Sequence, residues 1–302
     1  MDGILPLWKE RGMTSHDCVF KLRKILKTKK VGHTGTLDPG VEGVLPICIG
    51  QATRIAEYIT DTGKTYEAIV SLGRTTTTED AEGETVEINS SYKSFTRQQV
   101  LEALESLTGE IEQTPPMFSA VKVNGKKLYE YARAGQTVER PTRKVTIYEL
   151  DLLSNEELFE GEEIKFRIRI KCSKGTYIRT LAVQIGEVLG VPAHMYELVR
   201  TMSGTFKKED CFTLEQIADK IKYEDYSFLL PVEYALTDFP SVEIDSSNEK
   251  KINNGQQLPL HPLLKEHNKI VFTKKGKAFA VYIEHPEKEG VMKLDKMFPD
   301  VK

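Results

Sequence analysis

Several signatures are missing from this 302-residue sequence, and each absence excludes a class of protein. Four cysteines, Cys18, Cys48, Cys172 and Cys211, stand far apart with no Cys-x-x-Cys pair. That argues against a disulfide framework or a thiolate zinc site and fits a reducing compartment. The six histidines, at positions 16, 33, 194, 261, 267 and 285, have no ligand spacing, so no metal is expected. No apolar run approaches the ~20 residues needed to cross a bilayer. The first twenty residues hold no apolar targeting core, so a cytoplasmic protein with no membrane role is expected. GxGxxG, HExxH and GxSxG are absent, and GHTGTLDPG lacks the Gly-Lys-Ser/Thr ending of a phosphate loop.

An excess of positive charge is missing too: the formal net charge is −3, which looks wrong for a nucleic-acid binder. The average hides segregation. Residues 21–30, KLRKILKTKK, carry six cations and no acid. Lys122, Lys126, Lys127, Arg140, Arg143 and Lys144 form a second basic region, while acids collect in 78–87 and 156–163. Single-signed faces of this kind can steer a polyanion, although any one cluster also reads as a solvated surface.

What is present describes a globular chain with 39% hydrophobic residues, enough for one large domain and a small one. Thr14 and Ser15 read as the cap of a helix with Cys18, Val19, Leu22, Ile25 and Leu26 inward. KTYEAIVSLG reads as a strand with Tyr66, Ala68, Val70 and Leu72 on one face. A helix from about Thr96 to Leu107 is followed by Gly109, and Asn124-Gly125 signals a hairpin inside a basic, aromatic arm. IKFRIRIKC alternates strictly, with Lys165, Arg167, Arg169 and Lys171 on a wet face that phosphate contact would also suit. The next helix turns Ile178, Leu181, Ala182, Ile185, Val188 and Leu189 inward and ends at Gly190. Pro231 to Pro240 reads as a linker to a small β-rich unit built on the hairpin VFTKKGKAFAVYIE. The expected class is α+β, mainly antiparallel strands with flanking helices. No long apolar heptad argues against a monomer.

One residue in this layout lacks a local partner. Asp38 lies in a glycine-studded turn with no Lys or Arg between Val31 and Ala52. Turn chemistry accounts for Asp-Pro-Gly itself, with Pro39 setting φ and Gly40 accepting φ > 0. A second oddity is Arg179. If Thr176 caps its helix, Arg179 sits in the first turn, where a cation opposes the macrodipole by ~0.3–1 kcal/mol. An arginine ill-suited to its own helix and a carboxylate without a partner suggest a pair; a structural salt bridge and a solvent-facing arginine are equally consistent with the spacing.

Taken in order from about Lys9 to Phe206, the blocks GHTGTLDPGVEGVLPICIGQATR, KTYEA, GTYIRTLA and LVRTMSGTF resemble the TruB family, the tRNA pseudouridine synthases that act on uridine 55 of the T loop. The resemblance implies a pseudouridine synthase domain over 1–231, with an RNA-gripping arm at about 115–145. A short PUA-like RNA-binding domain over 240–302 would follow. Asp38 matches the catalytic aspartate, Tyr66 the tyrosine that stacks on the target base, and Arg179 the arginine paired with that aspartate. Tyr177 stands beside it, Leu198 matches a pocket leucine, and His33 matches the histidine that contacts the loop from which the uridine flips. Lys9, Lys29, Lys30, Lys126, Lys127 and Arg143 are the candidate contacts to the RNA backbone.

The family's opening, Lys-Pro-x-Gly, reads KERG here, with Glu10 in place of proline, which puts the stiffness of that turn in question. The implied reaction cleaves the bond from N1 to the sugar, turns the base and rejoins it through C5, so no cofactor is expected. Asp38 serves as nucleophile or as base. Two rival readings are a non-catalytic tRNA-folding chaperone and a nucleoside hydrolase. The first has no use for an Asp38–Arg179 pair. The second usually needs two carboxylates, and Glu42, expected to be exposed, is the second acid near Asp38.

Overall fold

A computed structural model describes residues 1–298 of the chain. Its centre is a mixed sheet in which strand Lys64–Leu72 lies between Ala193–Ser203 and Ile164–Cys172, antiparallel to both. Beyond Ile164–Cys172 follow Arg143–Leu152 and Gly109–Gln113. Beyond Ala193–Ser203 lie Glu42–Ile49 and Gly3–Lys9, and the pairing of Ala193–Ser203 with Glu42–Ile49 is parallel. That parallel contact needs close backbones: a Cβ on Gly43 would lie 2.3 Å from the Arg200 carbonyl oxygen.

Period-2 patterning decides which sheet face is dry. Tyr66, Ala68, Val70 and Leu72 are buried with Leu45, Ile47, Ile168 and Ile170 beneath the helices Ser15–Ile25, Arg97–Ser106, Ile178–Leu189 and Leu214–Lys222. Local chemistry starts two of these helices where expected. Thr14 and Asp17, and likewise Thr96 and Gln99, form reciprocal capping boxes. Gly190 ends the third in a left-handed conformation, φ 71°. Val188 departs from its expected inward position and is half exposed, at the end of the helix beyond the sheet's cover.

Ile164–Cys172 alternates buried and exposed without exception. Its four cations are not spare phosphate ligands. Lys165 pairs with Glu163, Arg167 and Arg169 both with Glu67, and Lys171 with Glu149.

The C-terminal unit is a five-stranded sheet containing Ile270–Lys274, Lys277–Glu284 and Val291–Met297. It packs on the opposite face of the main sheet, where Val271, Val281 and Phe298 share a core with Ile4, Val44, Cys48 and Tyr58. Arg54 donates to the Met297 carbonyl at 2.7 Å, and Glu57 pairs with Lys296 at 2.7 Å. Pro231 to Pro240 is therefore not a free linker. Leu236 is buried, Phe239 packs edge-on to Tyr58 at 5.8 Å, and Glu233 accepts a bond from the Ala278 amide. The final residues of the expected 240–302 unit, 299–302, lie outside the described residues.

Candidate active site

Two loops and one helix end meet over the sheet. Asp38 projects from the turn between Val31–His33 and Glu42–Ile49, held by a Val41 amide bond to the Asp38 carbonyl at 3.1 Å. Lys9, expected on the RNA face, is fully buried beneath this turn. Its ammonium donates to the carbonyls of Val41 (2.6 Å), Glu10 (3.0 Å) and Pro39 (3.4 Å). A lysine without exposed surface cannot meet a phosphate, so Lys9 holds the Asp38 turn from inside, and burial lowers its pKa. The Glu10 side chain is exposed. That opening turn keeps its contact with the Asp38 loop through the Gly12 amide, which donates to the Pro39 carbonyl at 2.9 Å.

Gly40 does not adopt the positive φ expected of it. Its missing side chain instead makes room for Glu82, whose carboxylate oxygen lies 2.3 Å from where a Cβ would stand.

Arg179 is buried and meets Asp38, Nη2 to Oδ2, at 3.0 Å. Thr176 is not the helix cap: its hydroxyl bonds back to the Ser173 carbonyl, and Tyr177 occupies the cap position. Arg179 still falls in the first turn, and its orientation is set by the carbonyls of Thr78 and Phe118, each 3.0 Å from a guanidinium nitrogen. Asp80 supplies a second carboxylate to the same arginine at 3.7 Å. Asp80 was not legible as a site residue, because it lies in an acidic run that reads as solvated surface. Glu42, expected to be exposed, is half-buried and faces Arg11 at 4.0 Å.

These groups open on a cavity of about 460 Å³. Tyr66, Leu198, Tyr177, Arg179 and Asp38 all line it, so the five central expectations are brought together. Arg143 lines it as well, stacked on the Tyr177 ring at 4.8 Å. Asp38 itself is 44% exposed, so the pocket is open to water. His33 is half buried outside the cavity wall, and burial lowers its pKa. Lys29, Lys30 and Lys126 are exposed and Lys127 is half buried; none lines the cavity, although Lys127 donates to the hydroxyl of Tyr129, which does, at 3.4 Å.

Arg200 is a functional candidate that the sequence reading missed. It sits opposite Tyr66 in register, is 1% exposed, and donates to the Val44 carbonyl at 2.8 Å while reaching the Tyr66 hydroxyl. Burial pushes the Tyr66 phenol pKa up, so that hydroxyl stays protonated at neutral pH. Lys64, two residues before Tyr66, is buried and donates to the carbonyls of Thr60 and Thr62; burial brings its pKa down to about 8.

Comparison with known proteins identifies the family and the fold. The family model described as the TruB family pseudouridylate synthase N-terminal domain matches residues 23–178, and that of the tRNA pseudouridylate synthase B C-terminal domain matches 179–237. The junction between them cuts the first turn of Ile178–Leu189, whose helix and following strand belong to the main sheet. A protein of Listeria innocua named tRNA pseudouridine synthase B is 56% identical over 98% of both chains. One of Geobacillus thermodenitrificans with the same name is 54% identical over 99% of this chain and 100% of its own. Among solved structures, a Cbf5-Nop10-Gar1 complex contains a chain with a TM-score of 0.71 at 29% identity, covering 98% of this chain and 84% of that one. A substrate-bound H/ACA RNP chain gives 0.69 at 26%, covering 99% and 86%. The chain belongs to the TruB family of pseudouridylate synthases.

Proposed function

We propose that this protein is a tRNA pseudouridine synthase acting on uridine 55 of the T loop, with Asp38 as its catalytic carboxylate. The observation that carries the reading is the 3.0 Å pair between Asp38 and the buried Arg179, set in a cavity that also holds Tyr66 and Leu198. A uridine in a folded loop must leave its stack to enter such a cavity. The Tyr66 ring offers a stacking surface for the extruded base, as aromatic side chains do for unstacked RNA.

Asp38 then either attacks C1′ of the ribose or removes the proton from C2′ to give a glycal. In both routes the bond between C1′ and N1 breaks, and its electron pair leaves with the uracil. The base rotates and C5 bonds to C1′, which displaces the Asp38 carboxylate from C1′ in the first route and is accompanied by return of the proton to C2′ in the second. The C5 hydrogen departs as a proton and N1 gains one, so the sum is an isomerisation. Arg179 orients the carboxylate, and the filled cavity excludes the water that would otherwise divert the ribosyl intermediate to hydrolysis.

The test is tritium release from an unmodified tRNA transcript labelled at uridine C5. Wild type releases about one label per tRNA, and Asp38→Asn releases none while binding tRNA within a few fold. A single carboxylate acting at the reacting sugar commonly carries several powers of ten in rate. Wild-type-like turnover by Asp38→Asn would sink the mechanism. Tight binding without release by either protein would instead make this a tRNA-binding protein in a synthase fold.

A further inference from the structure

The cavity is lined by five cations, and four have protein partners. Arg179 holds two carbonyls and two carboxylates, Arg200 donates to the carbonyls of Val44 and Gly35, Lys64 donates to two carbonyls, and Lys174 pairs with Asp61 at 2.8 Å. The Arg143 guanidinium makes no hydrogen bond and no ion pair among the described residues, and it lies over the Tyr177 ring. Its Nε is buried and unsatisfied. Leaving a charged donor unpaired in a partly buried wall costs more than leaving a neutral one, so the absence of an anion calls for a reason.

The placement is rigid. Arg143 faces Gln113 in register across the edge of the sheet. Gln113 is buried and locks Tyr177 at both backbone groups, donating to its carbonyl at 3.2 Å and accepting from its amide at 2.9 Å. The guanidinium lies on that fixed ring, and a Cβ at Gly175 would come within 3.4 Å of it. Stacking holds the plane of an arginine while leaving its edge free for a second ligand.

We infer that Arg143 is a phosphodiester-binding residue inside the catalytic cavity, gripping a phosphate that flanks the flipped uridine. This rests on the pseudouridine synthase reading above and deepens it, by separating one backbone contact at the reacting nucleotide from the diffuse attraction of surface lysines. Chemistry favours phosphate over a base carbonyl. The guanidinium fork matches two nonbridging oxygens, and a flipped nucleotide necessarily brings its own phosphates to the mouth of the cavity.

The experiment uses T stem-loop RNA, tritiated at C5 of the target uridine. It carries Rp or Sp phosphorothioate at the 5′ or the 3′ linkage of that nucleotide, in four separate substrates. Single-turnover release is measured for wild type, Arg143→Ala, Arg143→Gln and Arg143→Lys. The expected loss for Arg143→Ala on unmodified RNA is roughly 10- to 100-fold in rate, the scale of a hydrogen-bonded charge. Arg143→Lys keeps the charge but not the fork, and recovers part of that rate. In wild type one of the four thio-substituted substrates is slowed by roughly threefold or more. In Arg143→Ala and in Arg143→Gln, which retains most of the stem over Tyr177, that slowing disappears.

Thio effects that persist undiminished in both variants overturn the inference, as does wild-type release by Arg143→Ala. A loss in both variants with no thio sensitivity in wild type assigns Arg143 to the base or to packing, and also overturns it. Failure of the underlying reading looks different: wild type would release no label from the unmodified RNA.

Discussion

At the scale of the residue, the site is governed by where burial places a charge. Lys64 illustrates the cost. Its ammonium is enclosed, its pKa comes down to about 8 through desolvation, and it still satisfies two carbonyls at the end of the segment preceding its strand. A lysine whose folded pKa lies below its unfolded value binds fewer protons folded than unfolded between those two pH values. Stability therefore rises with pH across that window, from about 8 to about 10.5, and is flat with respect to this group below it. Urea unfolding of wild type and Lys64→Met at pH 7 and pH 9.5 checks the sign. The difference between the two proteins should move toward wild type at the higher pH by on the order of 1–2 kcal/mol. A difference that is the same at both pH values, or that moves toward the variant, would show that Lys64 keeps an ordinary pKa.

At the scale of the element, the placement of Arg179 depends on the loop from Thr77 to Glu84 being docked on the first turn of Ile178–Leu189. Glu79 is the fastener. It adopts a left-handed conformation, φ 62°, and accepts the Thr180 hydroxyl at 2.7 Å. Its carbonyl accepts the Met195 amide at 3.0 Å. A strained non-glycine backbone persists where surrounding contacts over-determine it. With Glu79 docked, the neighbouring Thr78 carbonyl and Asp80 carboxylate both reach Arg179. Glu79→Ala and Thr180→Val should each lower kcat by about tenfold with KM little changed, the scale of one buried hydrogen bond passed on to a positioned group. Glu79→Gln keeps an acceptor and should retain most of the activity. Equal losses in kcat and 1/KM would place the loop in tRNA binding instead.

The same elements show what was legible beforehand. Thr14 with Asp17, Thr96 with Gln99, and the Asn124-Gly125 hairpin are written within four residues, so their local chemistry could be read directly. Asp38 and Arg179 could be paired because each was anomalous at home. Glu79, Asp80 and Arg200 show no local anomaly, and their partners are about a hundred or more residues away in sequence. Lys9 misled because lysine is almost never fully buried unless paired, and here the partners are the carbonyl of the adjacent Glu10 and two carbonyls of a distant turn, those of Pro39 and Val41.

At the scale of the whole molecule, a chain of net charge −3 can hold RNA only if its cations are unequally committed. They are. On Ile164–Cys172, Lys165 and Lys171 each have a carboxylate of their own while Arg167 and Arg169 share Glu67, and a cation so matched releases little when a phosphate arrives. Lys29 and Lys30 follow the basic helix Ser15–Ile25, are exposed, and have no carboxylate partner among the described residues. Lys126 is exposed on the arm, with its ammonium 5.8 Å from the Tyr131 ring. Counterion release separates the two populations. Each lysine that neutralises a phosphate contributes roughly 0.7–0.9 to the slope of log affinity against log salt. Lys29→Gln with Lys30→Gln should therefore flatten the slope for tRNA binding by between about 1.4 and 1.8 and weaken binding at low salt. Lys165→Gln with Lys171→Gln removes the same formal charge but should leave the slope within about 0.3, since Glu163 and Glu149 already neutralise those two lysines. Equal flattening by both double variants would mean that net charge steers tRNA. Unequal flattening would locate the binding face on the side of the molecule that carries the basic helix.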